Sequence, residues 1–492
     1  LAKYLPKTSN SKFTLPPTLT SFRLVLSQVY GMIATENESG IELKSPHNIT
    51  LLYFSKFLAK TLNDIVDLLE NLARSELDLL QEAANASQLK ENLKDVSIVT
   101  PLTLNERLSI EYNSRVFLKR EDLQKVRSFK IRGAFNKIKS IDFNNSKDKR
   151  IICASAGNHA QGFAFSCNKL KIFGTVYMPE TTPKQKVERV KMFGGDFIKI
   201  ILSGDNFDDA QKEAQKHLTD DTTFIHPFDD IKVIEGQGTV ALEILDQIDK
   251  HFDYLIVPIG GGGLISGIIT VFKELSPKTK IIGVEAQGAP AMSESIQQNK
   301  IIRLDKIDNF VDGVSIRKIG KIPFKLCKDY LDDLLLVPEG KICQTILELY
   351  NKDGIVVEPA GAIGISALEM YHKKFTKKNV GILICGGNND ITRMAEIKER
   401  ALVYSNLKHY FIVKFPQRKG ALKEFVNNVI GENDDITFFE YVKKNNRDYT
   451  SAIVGIELKF SKDLEQLIQK MKESGFFGEY LNDKPETLRF LI

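Results

Sequence analysis

Four short motifs in this sequence combine residue types that could carry out chemistry on a small molecule. The first places a lysine beside an aromatic residue, in Ser128-Phe129-Lys130-Ile131-Arg132-Gly133-Ala134. The other three combine glycine with polar side chains: Ser155-Ala156-Gly157-Asn158-His159-Ala160-Gln161-Gly162, Gly260-Gly261-Gly262-Gly263-Leu264 and Cys385-Gly386-Gly387-Asn388-Asn389-Asp390. A partly desolvated lysine amine can form a Schiff base with a carbonyl compound. Backbone amides of a glycine loop at a helix start can bind phosphate.

In this order and spacing, the four motifs resemble those of the fold-type II pyridoxal-phosphate enzymes, and most closely those of the threonine dehydratases. The resemblance implies an α/β fold with two parallel-sheet subdomains, like the tryptophan synthase β subunit, followed by a C-terminal α+β ACT-like domain. It implies pyridoxal 5'-phosphate as the cofactor and L-threonine as the substrate. Elimination of water from threonine would give 2-oxobutanoate and ammonia, the first step of isoleucine biosynthesis.

Lys130 is the residue that matters most in this interpretation. Most of the 68 Lys and Arg residues of the chain must be solvated surface residues. Only the presence of the other three motifs distinguishes Lys130 from them. By the resemblance, Lys130 carries the cofactor and removes the Cα proton of the substrate. Phe129 is expected to cover one face of the cofactor ring.

The glycines Gly260, Gly261, Gly262 and Gly263 follow an apolar strand predicted over Tyr254–Ile259 and open a helix at Leu264. This position favours a phosphate site, because the amides at a helix start are free of side chains. The loop does not fit the dinucleotide-binding or P-loop patterns, since Ile265, Ser266 and Ile268 stand where those patterns need Gly or Lys. The alternative is a tight packing turn between strand and helix.

The segment that begins at Ser155 lies at a second predicted strand-to-helix junction. Its amides and the Ser155 hydroxyl can hold a substrate carboxylate, so we expect contacts from Ser155, Ala156, Gly157, Asn158 and His159. By the resemblance, Asn158 also hydrogen-bonds the phenolic oxygen of the cofactor. We expect His159 to have a positional role, because Lys130 already provides a base next to Cα.

Cys385 follows the apolar strand Val380–Ile384 and, by the resemblance, faces the pyridine nitrogen of the cofactor. Many relatives carry serine there. A neutral thiol, like a hydroxyl, cannot keep that nitrogen protonated, which suits elimination better than transamination. Glu358, within Val357-Glu358-Pro359-Ala360-Gly361, resembles a family glutamate near the ring. The alternative for Cys385 is a buried cysteine without a role.

Related reactions leave specific marks that the sequence allows us to compare. Serine racemases use a second serine as an acid and base, and Ala156 stands at the matching position. Metal-binding relatives carry acids after the strand that ends at Glu285, but Ala289 and Ala291 follow here, so we expect no metal site. A serine dehydratase or racemase and a non-catalytic amino-acid sensor remain alternatives. We expect L-serine to be used as well as threonine.

Alternating strands and helices predict a mostly parallel sheet covered by helices on both faces. The predicted pairs are Ile151–Cys153 with a helix to Leu170, Phe173–Met178 with Pro183–Phe193, Phe197–Ile201 with Phe207–Leu218, Tyr254–Ile259 with Leu264–Leu275, and Ile281–Glu285 with Ala291–Gln298.

After Arg400 the pattern changes to a βαββα unit, which resembles an ACT-like regulatory domain. Its predicted elements are the strand Tyr410–Phe415, the helix Ala421–Ile430, the strands Ile436–Val442 and Ala452–Leu458, the helix Leu464–Ser474 and a closing strand at Leu488–Ile492. The resemblance implies an effector at Arg418, Gly420, Ala421 and Leu422. The candidate effector is isoleucine, with valine opposing it. The alternative is a general oligomerisation domain.

Length and composition set the remaining expectations. A chain of 492 residues with 42% hydrophobic and 27% charged residues should form two or three globular domains. We predict an extension over residues 1–75 (a transit peptide or a mis-called segment), a catalytic domain over 76–402 and an ACT-like domain over 408–492.

The net charge of +5 is spread along the chain, which gives no reason to expect nucleic acid as a partner. No apolar run is long enough for a membrane span. The five cysteines form no C-x-x-C pair, which indicates a reducing compartment, the cytoplasm unless the extension targets an organelle. We expect a homo-oligomer, a dimer or a tetramer.

Overall fold

The computed structural model describes residues 33–37, 40–44, 88–143, 150–442 and 448–488. The chain divides into one unit over residues 1–84 and another over residues 85–492. In the first unit, Ile33–Asn37 (β1) and Gly40–Lys44 (β2) pair as an antiparallel hairpin. Apart from this hairpin, the predicted extension over residues 1–75 lies outside the described residues.

The second unit contains fourteen strands among its described residues. They are β3 (Leu102–Leu104), β4 (Arg115–Arg120), β5 (Arg150–Ala154), β6 (Gly174–Met178), β7 (Ile198–Leu202), β8 (Thr222–Phe224), β9 (Tyr254–Pro258), β10 (Lys280–Ala286), β11 (Asp333–Val337), β12 (Asn379–Ile384), β13 (Lys408–Pro416), β14 (Asp435–Tyr441), β15 (Tyr449–Glu457) and β16 (Phe477–Tyr480).

Helices connect most of these strands, and residues 88–93 are helical as well. The α-helices are α1 (Glu106–Glu111), α2 (Lys130–Lys139), α3 (Asn158–Leu170), α4 (Lys184–Gly194), α5 (Phe207–Lys216), α6 (Ile231–Gln247), α7 (Gly263–Leu275), α8 (Ala291–Gln297), α9 (Lys321–Tyr330), α10 (Glu339–Glu348), α11 (Pro359–Met370), α12 (His372–Phe375), α13 (Met394–Tyr404), α14 (Ala421–Asn428), α15 (Leu464–Glu473) and α16 (Pro485–Leu488). Short 3-10 turns cover Glu121–Leu123, Gly195–Phe197, Ile391–Arg393 and Ser461–Asp463, and a π-helical turn covers Leu349–Asp353.

Two parallel sheets form the catalytic part of the chain, which confirms the predicted fold class. The small sheet has the order β7-β6-β5-β8, and all its pairs are parallel. The large sheet has the order β11-β10-β9-β12-β4-β3, in which only the edge strand β3 runs antiparallel to its neighbour. Strands buried on both faces read as continuous apolar runs, as in β9 and β12. Ligands of such sheets bind beyond the carboxyl ends of the strands.

The C-terminal domain is an antiparallel sheet of order β14-β15-β13-β16, with α14 and α15 contributing to its core. Apart from Leu488, which ends the helix α16, the closing strand predicted at Leu488–Ile492 lies outside the described residues. Among the described residues, the edge strand that pairs with β13 is β16, Phe477–Tyr480. Gly475 adopts a left-handed conformation with φ of +73° and ends α15 in a sharp turn. The chain therefore returns along β13 at β16, a strand that the sequence did not predict.

In the part of the chain that the structure describes, every helix is too short or too polar to cross a lipid bilayer.

Four buried charges connect α2 to the elements around it. Arg132 donates to both oxygens of Glu121, at 2.8 and 2.9 Å, and to both oxygens of Glu243, at 2.6 and 2.9 Å. Lys119 donates to Glu243 at 2.7 Å. Burial alone would raise the pKa of Glu121, but Arg132 and Lys119 hold it below its usual range. The group is neutral as a whole, and it joins α2 to β4 and to α6.

We expect Arg132→Met to lower the free energy of unfolding by about 3–5 kcal/mol, because it leaves two carboxylates buried beside a single lysine. Urea denaturation followed by circular dichroism measures the change. The matched control is Lys90→Met, which removes an exposed ion pair to Asp246 on α6 and should cost at most about 1 kcal/mol. Equal effects of the two substitutions would contradict this account.

Candidate active site

Lys130 lies where segments from the two sheets meet. It is the first residue of α2, and its Nζ donates to the carbonyl oxygen of Pro227 at 2.9 Å, just after β8 of the small sheet. The residues before it are fixed to the segment after β12 of the large sheet. Ser128 forms an isolated bridge with Gly386, and the Phe129 amide donates to the Cys385 carbonyl at 3.3 Å. The first and fourth motifs therefore lie side by side.

The amine of Lys130 is desolvated, although part of the side chain borders the cleft. Burial lowers its pKa from 10.5 to about 8, against the smaller opposing effects of Cys385 and Glu358. The Phe129 ring centroid lies 5.3 Å from Nζ. At pH 7 about a tenth of this amine is unprotonated, far more than in a solvent-exposed lysine, and the unprotonated form is the one that a nucleophile or a base requires.

The glycine loop lies against the segment that contacts Lys130. A Cβ atom on Gly261 would stand 2.2 Å from the ring of Phe228, and one on Gly263 would stand 2.9 Å from the Phe228 backbone. Gly262 has φ of +92°, which favours glycine. The helix α7 starts at Gly263, one residue before the predicted Leu264. The first amides of a helix have no acceptor within the helix. The loop therefore presents bare amides beside Phe228 and Pro227.

The second motif lies at the start of α3, after β5. Ser155 accepts a hydrogen bond from the Gly157 amide at 3.2 Å, and a Cβ atom on Gly157 would meet no atom within 4 Å among the described residues. Ala156 is half-buried at the same turn. The turn thus combines a helix start with open space, as a carboxylate site requires.

The surroundings of His159 do not favour a role as a base. Its Nε2 donates to the carbonyl oxygen of Ile225 at 2.9 Å, and burial lowers its pKa to about 3. The imidazole is therefore neutral, with its proton on Nε2. This geometry agrees with a positional role, which stays a prediction.

Asn158 and Glu358 form the polar centre of the site. The Asn158 amide donates to Glu358 Oε1 at 2.7 Å. Burial and the charge of Asp312 raise the pKa of Glu358 to about 7, while the Asn158 hydrogen bond lowers it. Gly386 leaves room for this carboxyl group, since a Cβ atom there would stand 2.2 Å from Oε1.

Cys385 is buried directly after β12, and its thiol donates to the carbonyl oxygen of Ala360 at 3.3 Å. Burial raises its pKa well above the usual value, and the charge of Glu358 acts in the same direction. The thiol is therefore neutral, as the sequence predicted for a partner of a ring nitrogen.

The structure brings Lys130, Asn158, Glu358, Cys385 and the glycine loop into one cleft. The predicted effector residues Arg418, Gly420, Ala421 and Leu422 lie apart from it, at the start of α14. Sequence reasoning missed Pro227 and Phe228, for which no motif gave a signal. It also missed the hydrogen bonds of Asn388 to Arg189 and Asn158, although Asn388 belongs to a quoted motif.

The arrangement fits pyridoxal phosphate, the cofactor that the resemblance implies. The glycine loop leaves space that a Cβ atom would fill, and Lys130 offers a desolvated amine. The buried polar atoms that find no hydrogen-bond partner among the described residues include Ser128 Oγ, His159 Nδ1 and Gln161 Oε1 of these motifs, and Ser315 Oγ. Ser315 follows Val314, whose Cα would stand 3.0 Å from a Cβ atom on Gly260. Unpaired buried polar atoms of this kind are rare in native proteins and indicate a ligand or water.

Two family models match the chain. Residues 94–386, more than half of the chain, match the model described as "Pyridoxal-phosphate dependent enzyme". Residues 399–491 match the model described as "C-terminal regulatory domain of Threonine dehydratase".

Individual relatives agree with these matches. The "L-threonine dehydratase biosynthetic IlvA" of Halalkalibacterium halodurans is 53% identical over 406 residues, which cover 82% of this chain and 97% of the relative. The structure of the processed form of threonine deaminase isoform 2 from Solanum lycopersicum is 37% identical, with a TM-score of 0.62, and covers 66% of this chain and 88% of that chain. Maize serine racemase is 29% identical, with a TM-score of 0.59, and covers 65% of this chain and 98% of that chain.

We expect pyridoxal phosphate to attach to the cofactor-free protein at a rate that rises with pH through a midpoint near 8. The reason is that the neutral amine attacks the aldehyde, and burial lowers the pKa of Lys130 from 10.5 to about 8. Stopped-flow absorbance between pH 6.5 and 10 measures the rate, with N-acetyl-lysine amide as the solvent-exposed reference. A midpoint equal to that of the reference would show that Lys130 is not desolvated.

Proposed function

The chain belongs to the pyridoxal-phosphate-dependent enzymes, and on this premise we propose that it is an L-threonine dehydratase that forms 2-oxobutanoate and ammonia. The observation that carries the proposal is the convergence of Lys130, Asn158, Glu358, Cys385 and the glycine loop in one cleft. The similarity to biosynthetic threonine dehydratases over 82% of the chain supports the choice of substrate.

The parts of the site have distinct roles in holding the cofactor. The amides of Gly260, Gly261, Gly262, Gly263 and Leu264 hold its phosphate at the positive end of α7. Lys130 would bind its carbonyl carbon, and Phe129 would cover its ring. Asn158 would donate a hydrogen bond to it, while Cys385 and Glu358 would lie beside the ring.

Bound pyridoxal phosphate supplies an electron sink for negative charge at Cα of an amino acid. Lys130 Nζ, as the neutral amine, accepts the Cα proton. The turn of Ser155, Ala156, Gly157, Asn158 and His159 binds the substrate carboxylate through its amides and through the Ser155 hydroxyl. This contact orients the Cα–H bond towards Lys130.

The neutral thiol of Cys385 favours elimination over transamination. It donates to the Ala360 carbonyl and carries no charge that would hold a proton on a ring nitrogen. At neutral pH the Glu358 carboxyl group, whose pKa burial raises to about 7, is protonated for about half of the time. The electron pair left at Cα would expel the β-hydroxyl, which would leave as water with a proton supplied by the phosphate group held at Gly260–Gly263.

Threonine and serine share the features that these residues recognise, so we propose that L-serine is a second substrate and yields pyruvate. Racemisation needs an acid on the face opposite Lys130. Ala156, at the matching position, has no side chain that could provide a proton. The likeness to maize serine racemase therefore supports a shared fold and not racemisation by this chain.

Lys130→Ala should abolish the visible absorbance of the lysine-bound cofactor and reduce threonine turnover by several orders of magnitude, because both the covalent attachment and the base are lost. A keto-acid assay with threonine and with serine measures turnover. The matched control is Lys139→Ala, at the exposed end of the same helix, which should retain activity.

Three results, with the variant or with the wild type, would overturn the proposal. Normal turnover by the Lys130→Ala variant would remove Lys130 from the mechanism. D-serine as the main product from L-serine would show a racemase. A wild-type protein that binds the cofactor without any turnover would instead be an amino-acid sensor.

We further propose that residues 408–492 regulate the catalytic domain, which spans residues 76–402, and that isoleucine inhibits while valine opposes it. The helix α13 provides the physical connection. Its Glu399 accepts a hydrogen bond from the Tyr410 hydroxyl at 2.6 Å and lies 3.5 Å from Lys408 Nζ, both on β13. Just before α13, Arg393 donates to the Phe310 carbonyl at 2.7 Å and lies 3.6 Å from Asp312.

The turn before α14 supports an effector site at Arg418, Gly420, Ala421 and Leu422. Gly420 has φ of +86°, and a Cβ atom there would meet no described atom within 4 Å. Two buried polar atoms nearby lack a hydrogen-bond partner among the described residues: Gln417 Nε2, beside the turn, and Thr450 Oγ1, on the strand that pairs with Phe415. An amino-acid ligand offers both a donor and acceptors for such groups.

The quaternary state and location of the protein are also proposals. We propose a homo-oligomer, a dimer or a tetramer, because the C-terminal domain adds no residue that the chemistry needs. All five cysteines are buried free thiols, which is usual in a reducing compartment. We therefore propose that the enzyme works in the cytoplasm, and that residues 1–75 form an extension outside the catalytic domain.

Tyr410→Phe should weaken isoleucine inhibition about three- to tenfold, since it removes one hydrogen bond between β13 and α13. Threonine turnover without isoleucine should stay within about twofold of the wild type, because the catalytic cleft is untouched. The half-inhibitory isoleucine concentration measures the effect, and Tyr441→Phe, whose hydroxyl lies on the exposed strand β14, is the matched control.

A truncated enzyme that ends at Arg400 gives the complementary result. It should turn over threonine without any response to isoleucine, provided that gel filtration shows an intact oligomer. Inhibition of this truncated enzyme as strong as that of the full chain would place the effector site in the catalytic domain.

A further inference from the structure

Asn388 connects a surface helix of the small sheet to the polar centre of the cleft. Its Oδ1 accepts from Arg189 Nη1 at 2.9 Å, and Arg189 lies on α4. Its Nδ2 donates to the Val126 carbonyl at 2.9 Å and to Asn158 Oδ1 at 2.7 Å. Asn158 in turn donates to Glu358 at 2.7 Å. The four side chains form one continuous chain of hydrogen bonds.

The direction of this chain is fixed by its ends. A guanidinium group only donates hydrogen bonds, and a backbone carbonyl oxygen only accepts them. Arg189 therefore requires Oδ1 of Asn388 on its side, and Val126 requires Nδ2 on the other. Asn158 must then turn its own Oδ1 towards Asn388. Its amide donors consequently face Glu358 and the cleft.

We propose that Asn388 is a positioning residue that fixes the orientation of the Asn158 amide, and that Arg189 makes this orientation depend on the docking of α4. The proposal rests on the proposed role of Asn158 as a cofactor contact. Asn388 itself acts through Asn158 and through no direct contact with a reacting atom.

A second contact of the same helix supports the dependence on docking. Lys186 lies one turn before Arg189 on α4 and forms an ion pair with Asp312 at 2.6 Å. Asp312 precedes Gly313 and Val314, the residues that lie against Gly260. When α4 is docked, it therefore holds the segment beside the glycine loop and, through Asn388, the amide of Asn158. Movement of α4 away from the large sheet would release both.

Two substitutions at Asn388 separate an orienting role from a merely structural one. Asn388→Asp keeps the size of the side chain and the acceptor for Arg189, but it replaces the donor to Val126 and Asn158 with a carboxylate oxygen. This oxygen faces Asn158 Oδ1 and so favours the reversed Asn158 amide. Asn388→Ala leaves the Asn158 amide free to adopt either orientation. If Asn388 orients the Asn158 amide, Asn388→Asp should weaken cofactor binding more than Asn388→Ala. A packing role predicts the opposite order.

The measured quantity is the dissociation constant of pyridoxal phosphate, obtained by absorbance titration of the cofactor-free protein, together with its thermal midpoint. We expect the constant to rise about tenfold or more for Asn388→Asp and less for Asn388→Ala, as the loss of one oriented polar contact allows. Thermal midpoints should fall for both substitutions, because the Val126 carbonyl loses its donor in each, so the titrations are carried out well below these midpoints. The matched control is Asn389→Asp, which changes the neighbouring residue and should leave the dissociation constant unchanged.

The background substitution Asn158→Ala separates the effect on the Asn158 amide from the charge of the new carboxylate and from its repulsion of the Val126 carbonyl. If Asn388 acts through Asn158, Asn388→Asp should add little to the Asn158→Ala variant. A charge effect would persist in that background and would overturn the proposal, as would the order Ala worse than Asp. Arg189→Ala should weaken binding in the wild type, with Lys184→Ala on the same helix as its control. Failure of the wild type to bind the cofactor would instead refute the proposed function.

Discussion

The position of Lys130 depends on the buried charges around Arg132, two residues further along the same helix. Two carboxylates and two cations neutralise one another there, so that α2 is joined both to the large sheet through Glu121 and to α6 through Glu243. A buried ion group adds little net stability relative to apolar packing, but it tolerates only one arrangement of its partners. This constraint sets the place of the helix start, where Lys130 must meet the carbonyl of Pro227.

Around that fixed point, burial shifts the titratable groups of the site towards their uncharged forms. Desolvation lowers the pKa of Lys130 and raises those of Cys385 and Glu358. The same physical cause therefore keeps the Cys385 thiol neutral and moves both the Lys130 amine and the Glu358 carboxyl group towards neutrality. Charge is supplied from the rim of the cleft instead, by Lys186, Arg189 and Asp312. The phosphate and ring charges of a bound cofactor would therefore lie near few charged side chains.

The sequence predicted those parts of the site that consecutive residues encode. A strand followed directly by glycines placed the loop Gly260–Gly263 at the end of β9, and the apolar run before Cys385 placed it after β12. The contact between Arg189 and Asn388 joins residues 199 positions apart, and it arises only from the way two separate sheets meet. No local pattern encodes that distance. The strand β16 was not predicted for a related reason, because Phe477–Tyr480 is short and interrupted by Gly478, and its pairing with β13 decides its conformation.

The segment after Cys385 belongs to the cleft and also leads to the regulatory domain. From Gly386 it passes through Asn388, which contacts Asn158, to Arg393, which contacts Phe310, and then along α13 to Glu399 and Tyr410. A ligand on the C-terminal domain alters activity only if it binds two arrangements of this segment unequally. The same Asp312 that pairs with Lys186 lies 3.6 Å from Arg393. Asp312 therefore contacts both Lys186 on α4 and Arg393 just before α13. A shift of either helix would move Asp312, and with it the residues beside the glycine loop and the charge that raises the pKa of Glu358.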